Sequence, residues 1–591
     1  MNNVYSERIS ALRALMHARG WDAVVLTGSD PHSSEYPASR YKQVLWLTGF
    51  SGEAGDVVVT ADHAGLWTDT RYFIQANAQL AGTGAVLHKT RVPEQVLIPE
   101  WLLTALPEGA TLAVDGLCVS EGFSSELREH FKLVSVPDLL SALWTDRPGL
   151  PCTPIYTVET GESRASKLDW LRTAAGDPGC DAVLLSTLDD IAWLLNVRAS
   201  DIEYNPLVIS YLIVPFDPVA KVRWFVVKDG AEECGTLETL RSEGISIERY
   251  DALEAALADY SSLKVDPGSL NAHIIGSMRT ADVKAVPFEN PVPVRKAVKN
   301  AYEIEGFKAC HIRDGVAMEK FLHWLETSVS EGRAVTEWDA SLRLNSIRAE
   351  DPAYRGDSFE TISAYGPGAA LPHYVTPKTG APLLEPHGLY LVDSGGQYLD
   401  GTTDITRTIP LGGCTLLEKE DYTLVLKGHI ELSRAVFPAG TAGCQIDALA
   451  RAPLWQARRN FGHGTGHGVG FFLGVHELPL NIRQNFDRQS ILPGMVTSDE
   501  PGIYREGMHG IRHENLILCV PDSEGEFGRW LRFEPLTLCH FDTSPLLPEL
   551  MTREELEWLN AYNAKVYETL APLLPGDVAA WLKKKTEAIG L

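Results

Sequence analysis

Apolar positions along this chain fall into recognisable rhythms. Residues 12–26 read LRALMHARGWDAVVL and residues 171–185 read LRTAAGDPGCDAVLL. In each, a helix-like stretch ends near a glycine (Gly20, Gly179), and an Asp-Ala pair leads into a short apolar run, Val24-Val25-Leu26 or Val183-Leu184-Leu185. Such β-rich runs after a helix predict buried strands of an α/β unit. Each copy later carries a Trp-Leu pair, Trp46-Leu47 and Trp193-Leu194, so the pattern predicts a domain present twice. A helical rhythm then sets in at Ile304, Phe307, His311, Met318, Phe321, Leu322 and Leu325, spaced in threes and fours. Downstream the chain becomes rich in glycine, histidine and acidic residues. Thr552 followed by Glu555 is a capping-box signal that opens a helix through Leu556, Leu559, Tyr562 and Val566.

Proline punctuates these blocks. The run Arg147-Pro148-Gly149-Leu150-Pro151-Cys152-Thr153-Pro154 predicts one linker, and Pro287, Pro291 and Pro293 predict a second, because proline and the residue before it resist helix. Three domains follow, 1–152, 153–294 and 295–591, in keeping with 591 residues at about 150 per domain. A content of 45% apolar and 22% charged residues is that of a globular protein. Asp+Glu outnumber Lys+Arg by 78 to 52, a net charge of −26. That balance excludes sequence-independent binding to nucleic acid or to an anionic membrane, both of which need clustered cations. No apolar run approaches the ~18 residues of a spanning helix, and the first twenty residues lack the features of a secretory leader. The nine cysteines are scattered with no CxxC pair, which fits free, mostly buried thiols in a reducing cytoplasm.

The chemistry concentrates in residues 360–520. Asp393 ends the β-like run Tyr390-Leu391-Val392-Asp393, and Asp404 lies in Gly401-Thr402-Thr403-Asp404-Ile405-Thr406. Asp400-Gly401 between them is a hairpin-turn signal. With that pair as the turn, Asp404 faces Gln397, and the two carboxylates share a face about 13 Å apart by strand rise. A common site then needs a bend or bulge, expected at Gly395-Gly396. Next comes Gly462-His463-Gly464-Thr465-Gly466-His467-Gly468, whose alternate glycines argue for extended chain over helix. His476 follows, then Glu500 in Asp499-Glu500-Pro501-Gly502 and Glu514 in Arg512-His513-Glu514-Asn515; Gly502, Gly507 and Gly510 suggest another hairpin. Singly, each of these residues has an ordinary reading as a cap, a turn or a solvated charge. Together, four carboxylates and an imidazole form an oxygen-rich site suited to Mn²⁺, Co²⁺ or Zn²⁺. Two divalent ions would balance Asp393, Asp404, Glu500 and Glu514, whose joint burial otherwise costs heavily.

These motifs, with Trp67-Thr68-Asp69-Thr70-Arg71-Tyr72-Phe73, Lys296-Ala297-Val298-Lys299-Asn300 and Phe533-Glu534-Pro535-Leu536-Thr537, resemble the metallopeptidase family of methionine aminopeptidase, prolidase and aminopeptidase P. The resemblance spans nearly the whole chain and is strongest to the long, three-domain cytosolic aminopeptidase P type. It implies a mixed α/β architecture: two related creatinase-like N-terminal domains, then a pita-bread catalytic domain with a curved antiparallel sheet and a C-terminal helical extension. It implies the metal ligands Asp393, Asp404, His467, Glu500 and Glu514 for two divalent ions, usually Mn²⁺, with Asp404 and Glu514 bridging. It further implies hydrolysis of the bond between any N-terminal residue and a penultimate proline by a hydroxide shared between the metals. In that scheme His373 and His476 contact substrate and stabilise the tetrahedral intermediate, Glu500 handles the proton, His463 lines the proline pocket, and Arg512 contributes to substrate binding. Arg71 either contacts substrate or pairs structurally with Asp69. A homodimer is implied as well.

Two positions depart from the family pattern. Leu478 stands where glycine usually follows His-Glu, and His513 stands where an aliphatic residue is usual and is read as a sheet-face histidine turned away from Glu514. Two rival readings keep the same scaffold. An X-Pro dipeptidase shares the chemistry but resembles a shorter, two-domain arrangement, and a non-catalytic binding relative would be expected to have lost its ligands.

Overall fold

A computed structural model describes residues 3–176, 179–227 and 235–590. The chain forms two compact units, residues 1–292 and 293–591.

The first unit holds two six-stranded mixed sheets. One comprises Ala23–Leu26, Asp56–Thr60, Ala64–Thr68, Val86–Lys89, Thr111–Asp115 and Lys132–Val136; the other Ala182–Leu185, Ser210–Pro215, Val222–Val226, Ile245–Arg249, Ser262–Val265 and Lys284–Pro287. Numbered by order of appearance within each sheet, both run 4-3-2-1-5-6, with 1–2 and 2–3 antiparallel and 1–5, 3–4 and 5–6 parallel. The repeated Val-Val-Leu and Val-Leu-Leu runs are strand 1 of each sheet, buried on both faces. Helices Val4–Arg19 and Arg164–Ala174 precede them, and Trp46 and Trp193 sit on equivalent helices after them. Asp177 and Pro178 of the second repeat, and Cys234, lie outside the described residues. The two copies are fused by polar contacts as well: buried His32 bonds the Ser186 carbonyl at 2.8 Å and the Tyr250 hydroxyl at 2.9 Å.

The second unit opens on Lys296–Lys299 and a long helix, α1 (Ala301–Ser330), that carries the predicted apolar rhythm. Then follow β1 (Tyr354–Asp357), β2 (Ile362–Tyr365), β3 (Leu389–Ser394), β4 (Gly396–Tyr398), β5 (Gly401–Thr402), β6 (Ile405–Pro410), α2 (Leu416–Ser433), β7 (Val436–Pro438) and α3 (Gly443–Gln456). The remainder is β8 (Gly466–Gly468), β9 (Glu477–Ile482), β10 (Val496–Asp499), β11 (Gly502–Arg505), β12 (His509–Arg512), β13 (Asn515–Gly525), β14 (Gly528–Pro535) and α4 (Arg553–Leu570). All pairings here are antiparallel: β2-β3-β6, β1-β4-β5, β11-β12 and the six-stranded β7-β14-β13-β10-β8-β9. The Thr552 capping box is formed, its Oγ1 accepting from the Glu555 amide. All eight described cysteines are free; Cys118, Cys310, Cys519 and Cys539 are buried and the other four half-buried.

One register differs from the sequence reading. Tyr398 pairs with Gly401 and Gln397 with Thr402, so the turn is Leu399-Asp400 and not Asp400-Gly401. The reason is packing. A Cβ on Gly401 would lie 2.6 Å from the Cys310 sulfur on α1, and one on Gly306 would lie 2.4 Å from the Asp400 carbonyl. Gly401 is there to let the hairpin touch the helix. The corrected register places Asp404 opposite Gly395, two residues from Asp393, or about 7 Å by strand rise. The strand pairing is interrupted at Gly395 and Thr403–Asp404, but its register is the same on both sides, so the expected bulge is absent. There the backbones are so close that a Cβ on Gly395 would sit 2.0 Å from the Thr403 carbonyl oxygen. Gly395→Ala should therefore destabilise the second unit by about 1–3 kcal/mol, as overpacking does, read as a lower urea midpoint.

Candidate active site

The site grows from four strand ends. β3 delivers Asp393, the break before β6 delivers Asp404, β10 leads into Glu500, and Glu514 lies between β12 and β13. His467 is the centre of β8, whose glycines bring neighbouring backbones in: a Cβ on Gly466 would lie 2.1 Å from the Ser498 carbonyl and one on Gly468 2.3 Å from that of Glu477. The run is thus extended at Gly466–Gly468, as its alternate glycines predict, whereas Gly462, His463 and Thr465 are bends. Donor atoms of Asp404, His467 and Glu514 all lie within 4.8 Å of one another. His467 Nε2 is 3.5 Å from Asp404 Oδ2 and 3.5 Å from Glu500 Oε1. Its Nδ1 bonds the Gly468 carbonyl at 3.0 Å, which leaves the Nε2 lone pair aimed at the carboxylates.

Such an arrangement is repulsive without a cation. Burial, then the charges of Asp393 and Glu500, push the Asp404 carboxyl well above its ordinary range. Burial, then Asp404 and Asp393, does the same to Glu514. Glu500 is pushed up to about 7, chiefly by burial, with Asp393 adding and Arg512 opposing. Asp393 Oδ1 is buried with no hydrogen-bond partner among the described residues. Four carboxylates, an orphaned oxygen and an outward-facing imidazole nitrogen fit two hard or borderline divalent cations. A second donor group, Glu319, Cys539 and His540, has its own explanation, since His540 Nδ1 lies 2.8 Å from Glu319 Oε2 in a buried pair.

Around the donors lies a polar frame. Arg512, buried at the end of β12, reaches Asp393 Oδ2 at 2.5 Å, Thr406 Oγ1 at 3.1 Å and the Tyr504 hydroxyl at 2.7 Å. Its guanidinium is thus engaged in holding Asp393. The Tyr504 hydroxyl meets His463 Nε2 at 2.7 Å, and burial, with Arg512 beside it, keeps His463 well below the usual imidazole range and neutral. His373 follows Pro372, whose carbonyl accepts from Arg512 at 3.4 Å. The His476 ring stands edge-on to that of His467, centroids 4.3 Å apart. His513 is fully buried, turned onto Tyr422 and Phe541, with neither ring nitrogen hydrogen-bonded among the described residues. Arg71, in the first unit, is bound twice to Asp69, at 2.9 and 2.8 Å.

Several supports were not legible as such. Arg451 ties Asp447 to the carbonyls of Phe461 and His463, and Asp447 also takes the Thr465 hydroxyl, which fixes the loop carrying His463. The i,i+4 spacing of Asp447 and Arg451 on α3 is the only local signal. Arg407 of β6, fully buried, donates to the carbonyls of Glu514, Cys539 and His540 and to Asn515 Oδ1, and lies 3.2 Å from the Tyr562 hydroxyl. Thr406 Oγ1 donates to Glu514 Oε2 at 2.7 Å.

Comparison with known proteins agrees with this geometry. Residues 305–521 match metallopeptidase family M24 and 529–589 the C-terminal region of that peptidase; 8–143 and 146–303 each match a creatinase/prolidase N-terminal domain. The fold and site thus define an M24-type metallopeptidase. Aminopeptidase P1 of Arabidopsis thaliana is 35% identical over 99% of this chain and 100% of its own length. A probable Xaa-Pro aminopeptidase P of Laccaria bicolor is 36% identical over 98% of this chain and 93% of its own. The crystal structure of X-prolyl aminopeptidase from Caenorhabditis elegans, described as a cytosolic enzyme with a di-nuclear active site, superposes with a TM-score of 0.93 at 33% identity, covering 99% of this chain and 100% of that one. The chain belongs to the aminopeptidase P (Xaa-Pro aminopeptidase) family of M24 metallopeptidases.

The carboxylate cluster predicts a pH signature for metal-stripped protein. Asp404, Glu500 and Glu514 bind protons more tightly folded than unfolded, where carboxyls ionise near pH ~4. Stability is then greatest below that value and falls as pH rises through about 7, the range to which Glu500 is pushed. Melting of chelator-treated protein should occur at a lower temperature at pH 8 than at pH 5, and added Mn²⁺ should raise it most at pH 8. A flat profile in the stripped protein would contradict the arrangement.

Proposed function

We infer that this protein is a metal-dependent Xaa-Pro aminopeptidase, releasing the N-terminal residue from peptides whose second residue is proline. What carries the reading is the meeting of donor atoms of Asp404, His467 and Glu514, with Glu500 3.5 Å from His467, in a chain that matches aminopeptidase P relatives from end to end. Asp393, Asp404, His467, Glu500 and Glu514 are the proposed ligands of two divalent cations, Mn²⁺ by preference and Co²⁺ or Zn²⁺ as alternatives. Bound there, such ions would polarise the peptide carbonyl and acidify a water, whose pKa falls towards ~7.

The chain's own groups divide the remaining work. His476 and His373 are the proposed donors of hydrogen bonds where charge develops on the carbonyl oxygen. Glu500 is the proposed group that accepts a proton and returns it to the proline nitrogen as that nitrogen leaves. The scissile X-Pro amide has no N–H, so an acceptor there would go unused; His463, whose ring meets that of Tyr504 at 5.4 Å, is the proposed lining of the proline pocket instead. Arg512 holds Asp393 and through it the metal pair, with direct substrate contact a second role. Arg71 is proposed as a substrate contact that Asp69 orients. We place the enzyme in the cytoplasm as a homodimer, acting on small peptides; no helix among the described residues is long and apolar enough to cross a membrane.

The prolidase alternative shares this chemistry but has a shorter frame: an Xaa-Pro dipeptidase from Bacillus anthracis is covered over 98% of its length by 64% of this chain. Mass spectrometry of Ala-Pro, Arg-Pro-Pro, a longer X-Pro-led peptide and a Leu-Leu-led control, with Mn²⁺ or chelator, separates the readings. Release of the first residue from the longer X-Pro peptides, lost with chelator, is expected; cleavage of the dipeptide alone would make it a prolidase. Asp404→Ala and Glu514→Ala should each lose bound metal and at least about 10²-fold in kcat, in the range ascribed to losing electrostatic stabilisation. Turnover by either variant in metal-free buffer would refute the site.

A further inference from the structure

Glu477 lies between His476 and the exposed Leu478, and its side chain is buried. It is buried against Lys299, whose ammonium pairs with Glu477 Oε1; the two side chains are 1% and 3% exposed. Lys299 is itself fixed on all sides. Its Nζ also donates to the Lys296 carbonyl at 3.1 Å, and its amide donates to the Gly494 carbonyl at 3.0 Å. Gly494 has φ +91, and a Cβ there would lie 2.9 Å from the Lys299 carbonyl oxygen. Val298 makes a β-bridge to Met495, immediately before β10 and Glu500. One lysine thus connects the segment leading to Glu500 with the segment carrying His476.

The consequence for His476 is geometric. β9 pairs with β8 irregularly: His467 faces Asn481 and Gly468 faces Glu477, so Leu478, Pro479 and Leu480 bulge beside His467. The bulge puts Glu477 outside the register that pairs Asn481 and Ile482 with β8. Burial alternates at 475–478, with Val475 and Glu477 inward and His476 and Leu478 outward. Pinning the Glu477 carboxylate inward turns the preceding imidazole onto the His467 ring. An ammonium and a carboxylate this deeply buried persist only as a pair, since removing one partner leaves an uncompensated charge.

We propose that Lys299 is a positioning residue for the peptidase reaction, acting through Glu477 to hold His476 over the metal-binding cluster. The proposal deepens the functional reading above and rests on His476 acting in turnover. Lys299→Met should lower kcat at least tenfold with KM within about twofold, and leave metal stoichiometry at the wild-type value. In a His476→Ala background, Lys299→Met should cost less than twofold more, because the residue it positions is already gone. Lys299→Met/Glu477→Leu, which replaces the ion pair by apolar groups, should recover the wild-type melting temperature while kcat stays low; it keeps the test open if the single variant fails to fold.

The assay uses full-length, Mn²⁺-loaded protein and whichever X-Pro peptide the wild type turns over. Absence of wild-type turnover on the whole panel would sink the peptidase reading and this inference with it. Wild-type turnover with Lys299→Met losses that multiply independently of His476→Ala would overturn the inference alone. So would a Lys299→Met variant with unchanged kcat, or a double variant that regains kcat together with stability.

Discussion

The second unit is organised around a repulsion. Asp393, Asp404, Glu500 and Glu514 come from four separate strand ends, and burial together with the neighbouring carboxylates raises the proton affinity of Asp404, Glu500 and Glu514. Nothing local holds them there. The frame that does so is built from close backbone contacts and buried cations. Gly395, Gly466 and Gly468 let strands approach within distances no side chain tolerates. Arg512 faces Asp393 on one side, and Arg407 anchors the carbonyl of Glu514 on the other. The same negative charge that makes the folded arrangement costly is what divalent ions would offset, so tension and the proposed function have one source.

Much of this was legible in the residues. The chemistry-bearing positions stand out only in combination, since singly a glycine-flanked histidine or an aspartate after a β-run reads as a cap, a turn or a solvated charge. The repeated strand 1 motifs were visible because strands buried on both faces must be continuously apolar, and the two sheets they begin share one strand order. The long helix and the Thr552 cap followed from short-range patterns that tertiary packing had no reason to overturn.

What escaped was set at long range. The hairpin after β4 turns at Leu399-Asp400 because α1 needs Gly401 against Cys310, a contact no local turn rule contains. That two-residue shift places Asp404 near Asp393, where the sequence reading needed a bulge to close a larger gap. Arg512 reads as a substrate contact by motif, yet its guanidinium is occupied by Asp393, Thr406 and Tyr504. Lys299 and Glu477 are separated by 178 residues, so their pairing has no signature along the chain.

The buried guanidinium of Arg407 carries an implication for how the molecule is made. Its partners include Glu514, Asn515, Cys539, His540 and Tyr562. On the ribosome the chain emerges from its N-terminal side, so β6 and its arginine leave the exit tunnel long before α4 does. Glu514 lies 107 residues and Tyr562 155 residues beyond Arg407, so the cation is without these acceptors until both have been made. β6 is thus secured by segments synthesised well after it.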